Sequence, residues 1–248
     1  MNINDKIIQA INILYYSGKT IRDSRWQSVE TSLYMYEVNN LFFKAPMPEE
    51  VNSLAFQCQP DLPWSEDHFQ ERVGGKPLNP GNEYKNWPYY KAEIDDKRFR
   101  EKGEDLKFSH SYMERYWPPP GLKGIRYNYG NLLDVVDRLN DNPLTRQAYF
   151  SVWHPEDQKD RKERVPCTLG YHFLIREDKL NITYHIRSCD IRRHFKNDIY
   201  MTVRLAQWIR AKLNIYFKMG DLNMWIGSLH CFDNEIEMLK QDMKKWKN

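Results

Sequence analysis

Four segments between residues 148 and 232 constrain the fold of this chain more than any other feature. Each mixes β-branched and aromatic residues in rough alternation, a pattern typical of strands that bury one face. The segments are AYFSVWH (148–154), CTLGYHFLI (167–175), LNITYHIR (180–187) and MWIGSLHCF (224–232). The second and third are joined by REDK, which is short enough for an antiparallel hairpin. The sequence therefore predicts a mainly antiparallel sheet.

Helices are predicted before the first of these segments and between the third and the fourth. Apolar residues recur at helical spacing in a first segment that ends near Gly18, and again before the turn sequence NDNP at 140–143. A further helix is predicted from about Asp198 to Lys212, and residues 59–122, rich in proline, glycine and aromatic residues, indicate irregular structure with short helices. We therefore expect a single α/β (α+β) domain over residues 1–248. The periodic positions are Ile7, Ile8, Ile11 and Leu14 in the first helix, and Leu132, Val135, Val136 and Leu139 in the second.

Composition excludes several classes of protein. The chain has 37 Lys and Arg against 34 Asp and Glu, without the basic excess that is typical of direct nucleic-acid binding. No run approaches ~18 consecutive apolar residues, so no membrane span is predicted, and the N-terminus does not resemble a signal peptide. The four cysteines show no CxxC spacing, so we expect reduced thiols, no metal site and a cytoplasmic protein.

Cys167 and two arginines are the first candidates for chemistry. Cys167 follows Pro166 at the start of a predicted strand, although a lone cysteine is more often a buried core thiol. Arg187 precedes Ser188 at a strand end, and Arg146 lies in a turn; a guanidinium can bind a phosphate bidentately. Taken alone, each arginine is more typical of a solvated surface, so the residue types leave both interpretations open.

The order and spacing of several motifs resemble the thymidylate synthase family. A Pro-Cys pair opens a strand, and Arg-Ser-x-Asp follows about twenty residues later, within VPCTLGYHFLIREDKLNITYHIRSCDIRRHFKND. Tyr129-Gly130, the run LNDNPLTRQAYFSVWHPED and GSLHCF at 227–232 are similar to further family motifs, so residues 128–232 match in order. The N-terminal half matches loosely, through SRWQS at 24–28 and SEDHF at 65–69. The resemblance implies the family's α/β fold, with a large twisted, mainly antiparallel sheet flanked by helices.

The resemblance also implies roles for individual residues. Cys167 would be the thiolate that adds to C6 of a pyrimidine and makes C5 nucleophilic. The 5′-phosphate would be bound by Arg187, Ser188 and Arg25 of the same subunit and by Arg146 of the partner subunit. The resemblance therefore implies a homodimer that pairs sheet to sheet and shares its active sites. The remaining implied residues are His230 for the sugar, Asp190 for the folate, Tyr129 among the catalytic candidates, and Glu66 for proton transfer, with Glu71 as the fallback.

Three positions depart from the family pattern. Thr168 follows the nucleophile in place of His, Phe232 replaces a Tyr after His230, and Asp198 stands eleven positions after Arg187 in place of Asn. An Asn amide matches N3–H and O4 of uracil. A carboxyl that accepts from N4–H and shares a proton with N3 suits cytosine instead, and an ionised carboxylate would clash with O4 of uracil. As an alternative, Asp198 would cap the following helix.

The Cys-Thr and Asn-Asp pairs resemble deoxycytidylate hydroxymethylases of phages and cytidylate hydroxymethylases of nucleoside-antibiotic pathways. The implied reaction converts dCMP (or CMP), 5,10-methylenetetrahydrofolate and water to 5-hydroxymethyl-(d)CMP and tetrahydrofolate. The alternatives are a thymidylate synthase, a dCMP C5-methyltransferase, and a non-catalytic nucleotide-binding relative. The sequence leaves open the choice among dCMP, CMP and dUMP, the hydroxymethyl or methyl product, and the role of residues 72–122.

Overall fold

A six-stranded sheet organises the described part of the chain. The computed structural model describes residues 1–22, 25–26, 29–30, 34–90, 108, 110–118, 130–158 and 165–246. The strands of the sheet are β1 (Lys19–Arg22), β4 (Tyr34–Pro46), β5 (Tyr149–Ser151), β6 (Thr168–Arg176), β7 (Lys179–Asp190) and β8 (Lys218–Phe232), while β2 (Arg25–Trp26) and β3 (Val29–Glu30) form a separate antiparallel pair. The strand order is β1-β4-β8-β7-β6-β5, and all neighbours are antiparallel except β7 and β8, which are parallel. The mixed α/β fold with a mainly antiparallel sheet is thus confirmed.

The predicted hairpin between the second and third candidate strands is confirmed. Strands β6 and β7 pair antiparallel up to Arg176 and Lys179, so two residues remain for the turn. These are Glu177 and Asp178, with φ of 51° and 55°. Positive φ at both central positions is the geometry whose twist suits a two-residue hairpin.

Seven α-helices are described, and the predicted ones are among them. They are α1 (Ile3–Ser17), α2 (Val51–Cys58), α3 (Trp64–Val73), α4 (Tyr112–Tyr116), α5 (Leu132–Asp141), α6 (Lys196–Ala211) and α7 (Ile236–Trp246). Helices α1 and α5 each begin with a capping box, from Asn2 and Asn131. Helix α6 begins two residues before the predicted start, after a π-helical turn at Ile191–Phe195. None of the helices in the described ranges has the length and apolar character that a bilayer crossing requires.

Helix α6 is the crossover between the parallel strands β7 and β8, and it contacts both. Its sheet-facing residues include Ile199, Val203 and Ile209, which are fully buried. Burial of each such side chain contributes roughly 1.5–3 kcal/mol relative to exposure. Because α6 starts beside the carboxyl end of β7, packing of this helix determines where residues 196–200 lie.

Strand β4 was not predicted from the sequence, although it pairs with β8 along most of its length. The Asn39-Asn40 pair interrupts its alternation and reads as a turn. In the structure Asn40 adopts a left-handed conformation, with φ of 56°, inside the strand. Pairing with β8 therefore overrides the local turn preference.

Candidate active site

The carboxyl ends of β7 and β8 form the centre of the candidate site. The two strands are parallel, and Ser188 is level with Ser228 while Asp190 is level with His230. Ligands of open α/β sheets bind beyond the carboxyl ends of parallel strands. The turn after Asp190 then leads into α6. The topology therefore brings Ser188, Asp190 and His230, three of the predicted site residues, to one end of the sheet.

Cys167 lies directly before β6, next to Arg187 on the neighbouring strand. The Arg187 Nη2 atom is 3.8 Å from the Cys167 sulfur, and Nε and Nη2 donate to the carbonyl oxygens of Pro166 (2.9 Å) and Val165 (3.0 Å). The Arg187 backbone N–H donates to the Cys167 carbonyl oxygen at 2.9 Å. A cation at this distance stabilises a thiolate. The arrangement suits a nucleophilic Cys167, and it places Arg187, predicted for phosphate, beside the sulfur.

The other three cysteines lie in different surroundings. Cys58, Cys189 and Cys231 are buried, whereas Cys167 is half-buried. Burial raises the pKa of the Cys58 and Cys189 thiols far above the ordinary value, and it raises the pKa of Cys231 to about 12. These three are neutral core thiols, as expected for most cysteines.

Thr168, which stands where the family has His, is buried, and its hydroxyl contacts two tyrosine hydroxyls. Its hydroxyl oxygen is 2.8 Å from the Tyr184 hydroxyl and 3.3 Å from the Tyr112 hydroxyl. Burial raises the pKa of both tyrosines, to about 12 for Tyr112, so both remain neutral donors and acceptors. The residue after the nucleophile is therefore held by hydrogen bonds to two neutral tyrosines.

Asp198 is the third residue of α6 and does not cap it. The N-cap is Phe195, and the Asp198 Oδ2 accepts a hydrogen bond from the Cys189 Sγ at 3.6 Å. Burial raises the pKa of Asp198 to about 7, while the Arg72 charge and the Cys189 hydrogen bond lower it. A pKa near neutrality suits an acid–base group or a base reader that shares a proton with its ligand.

The neighbouring Asn197 has a structural role instead. Its Oδ1 accepts from the Asp61 backbone N–H (2.9 Å) and the Ser65 hydroxyl (2.7 Å). Its Nδ2 donates to the Asp61 carboxylate (2.9 Å) and the Arg193 carbonyl oxygen (3.2 Å). The amide is thus satisfied within the protein, and Asp198 is the member of the Asn-Asp pair that remains for a ligand.

Asp190 and His230 lie side by side in a crowded, charged setting. Asp190 is buried, and its Oδ1 accepts from the backbone N–H groups of Arg192 (3.0 Å) and Arg193 (3.1 Å). Burial raises the pKa of Asp190, which nearby His230 and Arg193 lower; burial lowers the pKa of His230, which Asp190 raises. Asp190 therefore fixes the turn after β7, and its predicted contact with folate stays a prediction, as does the sugar contact of His230.

Glu66, predicted for proton transfer, joins α3 to α6. Its carboxylate binds Arg204 through two hydrogen bonds of 2.8 and 2.9 Å and accepts from Tyr200 (2.7 Å) and Gln70 (2.7 Å). Although burial opposes ionisation, these donors lower the pKa of Glu66 to about 2. This geometry gives Glu66 a clear structural role, and proton transfer by Glu66 stays a prediction.

The remaining candidates are spread around the site. Glu71 lies 3.6 Å from His68 Nδ1 and accepts from the backbone of Glu83. Arg146 is exposed, beside β5. Arg25 belongs to β2, but its side chain lies outside the described residues, and so does all of Tyr129.

Three residues near Cys167 and Asp198 were not anticipated from the sequence. Tyr112 and Tyr184 bind Thr168, and Arg72 stacks on the Tyr112 ring with its guanidinium carbon 4.2 Å from the ring centre. Arg72 is buried although it is charged. The sequence contains only a weak indication of Arg72, because it follows His68 by four residues and so lies on the same face of the helix.

Comparisons with known proteins agree with this fold. The thymidylate synthase family model matches residues 78–248, so this chain belongs to the thymidylate synthase family. A putative thymidylate synthase of Methanosarcina acetivorans is 21% identical over 98% of this chain and 92% of its own length. The thymidylate synthase of Sphingopyxis alaskensis is 26% identical over 61% of this chain and 50% of its own length. The solved thermostable thymidylate synthase A of Bacillus subtilis has the same fold, with a TM-score of 0.64 at 15% identity, and the match covers 98% of this chain and 84% of that one.

Membership of the family defines the chemistry at a coarse level. The chain is a transferase that moves a one-carbon unit to C5 of a pyrimidine nucleotide, in nucleotide biosynthesis. The family uses 5,10-methylenetetrahydrofolate as the donor, binds a nucleoside monophosphate and typically forms dimers.

Proposed function

We propose that this chain is a cytidylate 5-hydroxymethylase, which acts on dCMP or CMP through a single catalytic domain. The observation that carries the proposal is Asp198, at the position where the family has a base-reading Asn. It is a carboxyl with a pKa of about 7, while the neighbouring Asn197 is satisfied within the protein. The site therefore offers a carboxyl, rather than an amide, to the base.

A carboxyl at this position favours cytosine for a simple reason. The cytosine N4 amino group donates to one oxygen, and a proton shared between the other oxygen and N3 completes the pair. Uracil presents O4 there, which would face a carboxylate oxygen without a proton between them when Asp198 is ionised. Discrimination would thus come from repulsion of the wrong base as well as from attraction of the right one.

Cys167 would carry the covalent step. Its thiolate, held by Arg187, would add to C6, and a proton on N3 from Asp198 would take up the electron density that moves into the ring. This addition makes C5 nucleophilic. C5 would then form a bond to the one-carbon unit, and loss of the C5 proton with departure of tetrahydrofolate would leave a methylene group on C5. Water would add to this methylene, and the C5–C6 double bond would re-form as the thiolate leaves, so that Cys167 is regenerated.

The phosphate and the sugar would be bound at the ends of β7 and β8. Arg187 uses Nε and Nη2 for its described contacts, so its Nη1 group would meet the phosphate together with the Ser188 hydroxyl. Arg25 of the same subunit and Arg146 of the partner subunit would complete the phosphate site, and His230 would contact the sugar. Phe232 offers no hydroxyl for the sugar, which leaves ribose and deoxyribose both acceptable.

The residues beside the turn at 191–195 suit a folate. Trp87 stacks on His194 with ring centres 5.0 Å apart, and its indole N–H is buried without a partner among the described residues. A flat aromatic surface with a spare donor fits a pterin ring. When bound, the folate would supply the one-carbon unit, and Trp87 and Asp190 would hold it.

The experiment that tests the proposal measures the mass of the product. The protein is incubated with 5,10-methylenetetrahydrofolate and dCMP, CMP or dUMP in parallel, and the nucleotide is analysed by mass spectrometry. We expect a cytidylate product that carries one oxygen more than the methylated nucleotide. A methyl product from dUMP, with no reaction of either cytidylate, would refute the proposal.

The second candidate is a thymidylate synthase. It is favoured by the names of the three relatives given above, which are described as thymidylate synthases or a putative thymidylate synthase. The same assay separates the two candidates, because a synthase would consume dUMP and oxidise the folate to dihydrofolate. Absorbance of dihydrofolate therefore gives a second, independent signal.

A further inference from the structure

The turn before β5 is held by hydrogen bonds on both sides of Arg146. The Thr145 backbone N–H donates to the Asn142 carbonyl oxygen at 3.0 Å, and the Gln147 backbone N–H donates to the Thr145 hydroxyl at 3.1 Å. The Gln147 side chain accepts from Arg138 Nη1 on α5 at 2.9 Å. These bonds fix the chain before and after Arg146, while Arg146 itself is exposed.

One further contact is made to Arg146 itself. His172 Nε2, on β6, lies 3.0 Å from the Arg146 carbonyl oxygen. Because a carbonyl oxygen accepts, Nε2 carries the hydrogen and donates it. The His172 ring also lies 6.0 Å from the ring of Tyr149, its partner in the pairing of β5 with β6. Of the described residues, His172 is the one that hydrogen-bonds Arg146, so an imidazole held on the sheet in turn holds the backbone of this arginine.

We propose that His172 is a positioning residue for the nucleotide phosphate: through its hydrogen bond to the Arg146 carbonyl oxygen, it sets the direction in which this arginine leaves its own subunit. The inference rests on the proposed function, which gives Arg146 to the phosphate in the partner subunit's site. It adds a residue that touches no substrate and serves the site of the other subunit.

The physical reason is the cost of ordering a long side chain. An arginine that binds a phosphate loses conformational freedom, and this loss reduces the affinity. A backbone that is already fixed removes part of the loss before the nucleotide arrives. The guanidinium also needs a defined direction for bidentate binding. Since the carbonyl that His172 holds is on Arg146 itself, rotation of this peptide would redirect the whole side chain.

The place of Arg146 in the sheet supports this role. Strand β5 is the last strand of the sheet, and the exposed Tyr149 follows Arg146 by three residues. No carboxylate of the described ranges forms an ion pair with Arg146. An exposed arginine at a sheet edge, with no acidic partner among the described residues of its own subunit, is suited to a phosphate in a second copy.

The first test compares two replacements of His172. His172→Phe keeps a ring against Tyr149 and removes the donor, whereas His172→Gln keeps an N–H group near the position of Nε2. We expect KM for the nucleotide that the wild type converts to rise about tenfold in His172→Phe, the lower end of what a charge-assisted hydrogen bond contributes. The value of kcat should change little, because the nucleophile is untouched. His172→Gln should retain a KM close to that of the wild type.

The matched control is His185→Phe. His185 contacts the same Tyr149 ring at 6.0 Å between ring centres, and it makes no described hydrogen bond to Arg146. Its replacement should leave KM unchanged. Native mass spectrometry verifies that each variant is dimeric, and an unchanged KM in dimeric His172→Phe would overturn the inference.

Mixed dimers, purified through two different tags, show which site His172 serves. In the first, His172→Phe is joined to Cys167→Ala, so the site with a nucleophile receives Arg146 from a subunit with intact His172, and KM should be normal. In the second, a Cys167→Ala/His172→Phe subunit is joined to wild type, so the site with a nucleophile receives Arg146 from the variant, and KM should be raised about tenfold. The opposite pattern would show that His172 acts within its own subunit and would refute the inference.

Arg146→Ala separates this inference from the proposed function. A Cys167→Ala/Arg146→Ala subunit is joined to wild type in the same way. An unchanged KM would refute the phosphate role of Arg146 in the proposed function, and the role of His172 with it. A raised KM with Arg146→Ala, together with an unchanged KM with His172→Phe, would overturn the role of His172 alone.

Discussion

At the scale of single residues, the surroundings of a side chain matter more than its type. Cys167 is half-buried with the Arg187 guanidinium 3.8 Å from its sulfur, whereas the other three cysteines are buried and neutral. Asp198 and Asn197 are adjacent, yet one is satisfied inside the protein and the other remains available. The chemistry of the site follows from these differences.

Replacement of Cys167 by Ala should abolish turnover. We expect kcat to fall roughly 10⁴-fold or more, the scale on which enzymes lose activity without their nucleophile. Binding of the nucleotide should persist, because the phosphate and base contacts do not need the sulfur. Steady-state kinetics and calorimetry measure the two effects, and Cys58→Ala is the control. Activity close to wild type in Cys167→Ala would disprove the covalent mechanism.

Replacement of Asp198 by Asn should move the preference from dCMP toward dUMP. An amide pairs with N3–H and O4 of uracil and leaves cytosine mispaired, which changes relative kcat/KM by roughly ten- to a hundredfold. The two nucleotides are assayed side by side for wild type and variant. The same selectivity in both proteins would show that Asp198 does not read the base.

At the scale of elements, contacts between α3 and α6 determine where Asp198 lies. Glu66 on α3 binds Arg204 on α6, and Asn197 ties the first turn of α6 to Asp61 and Ser65. Helix α6 is thus attached to α3 and the residues before it at two points, the first turn and the middle of the helix. Such contacts are tertiary, since more than 130 residues separate the partners in sequence.

The ion pair of Glu66 should make stability sensitive to acid. Folding lowers the pKa of Glu66 from about 4.5 to about 2, so the carboxylate stabilises the folded state above about pH 4.5. This contribution is lost as the pH falls through the range from 4.5 to 2. Urea unfolding of wild type and Glu66→Gln should therefore differ most near neutral pH and converge near pH 2. A constant difference at all pH values would contradict this role.

At the scale of the whole molecule, the outer face of the sheet is aromatic and accessible. Tyr149, His172, His185 and Trp225 form a row of ring contacts across β5 to β8, with ring centres 6.0–6.5 Å apart. On β4, Phe42 is 60% exposed on the same sheet. A second copy of the chain would cover this face, and the exposed Arg146 lies beside it. These features support the proposed homodimer with shared sites.

Mixing two inactive variants should restore activity if the sites are shared. Arg146→Glu removes the phosphate contact given to the partner, and Cys167→Ala removes the nucleophile. A mixed dimer would hold one site with both defects and one with neither. We expect activity to reappear after unfolding and refolding the two variants together, and not after refolding either alone. No recovery, in mixed dimers verified by native mass spectrometry, would place Arg146 and Cys167 in the same subunit's site.

The sequence by itself determined the strands β5 to β8, the hairpin, the helices α1, α5 and α6, and the family. These depend on local periodicity, turn chemistry and ordered motifs, which a linear pattern contains. Tertiary structure alone revealed β4, the ion pair of Glu66 and the buried Arg72. Pairing with β8 overrides the Asn39-Asn40 turn signal. The environments of Glu66 and Arg72 depend on residues distant in sequence, because burial and charge act through space.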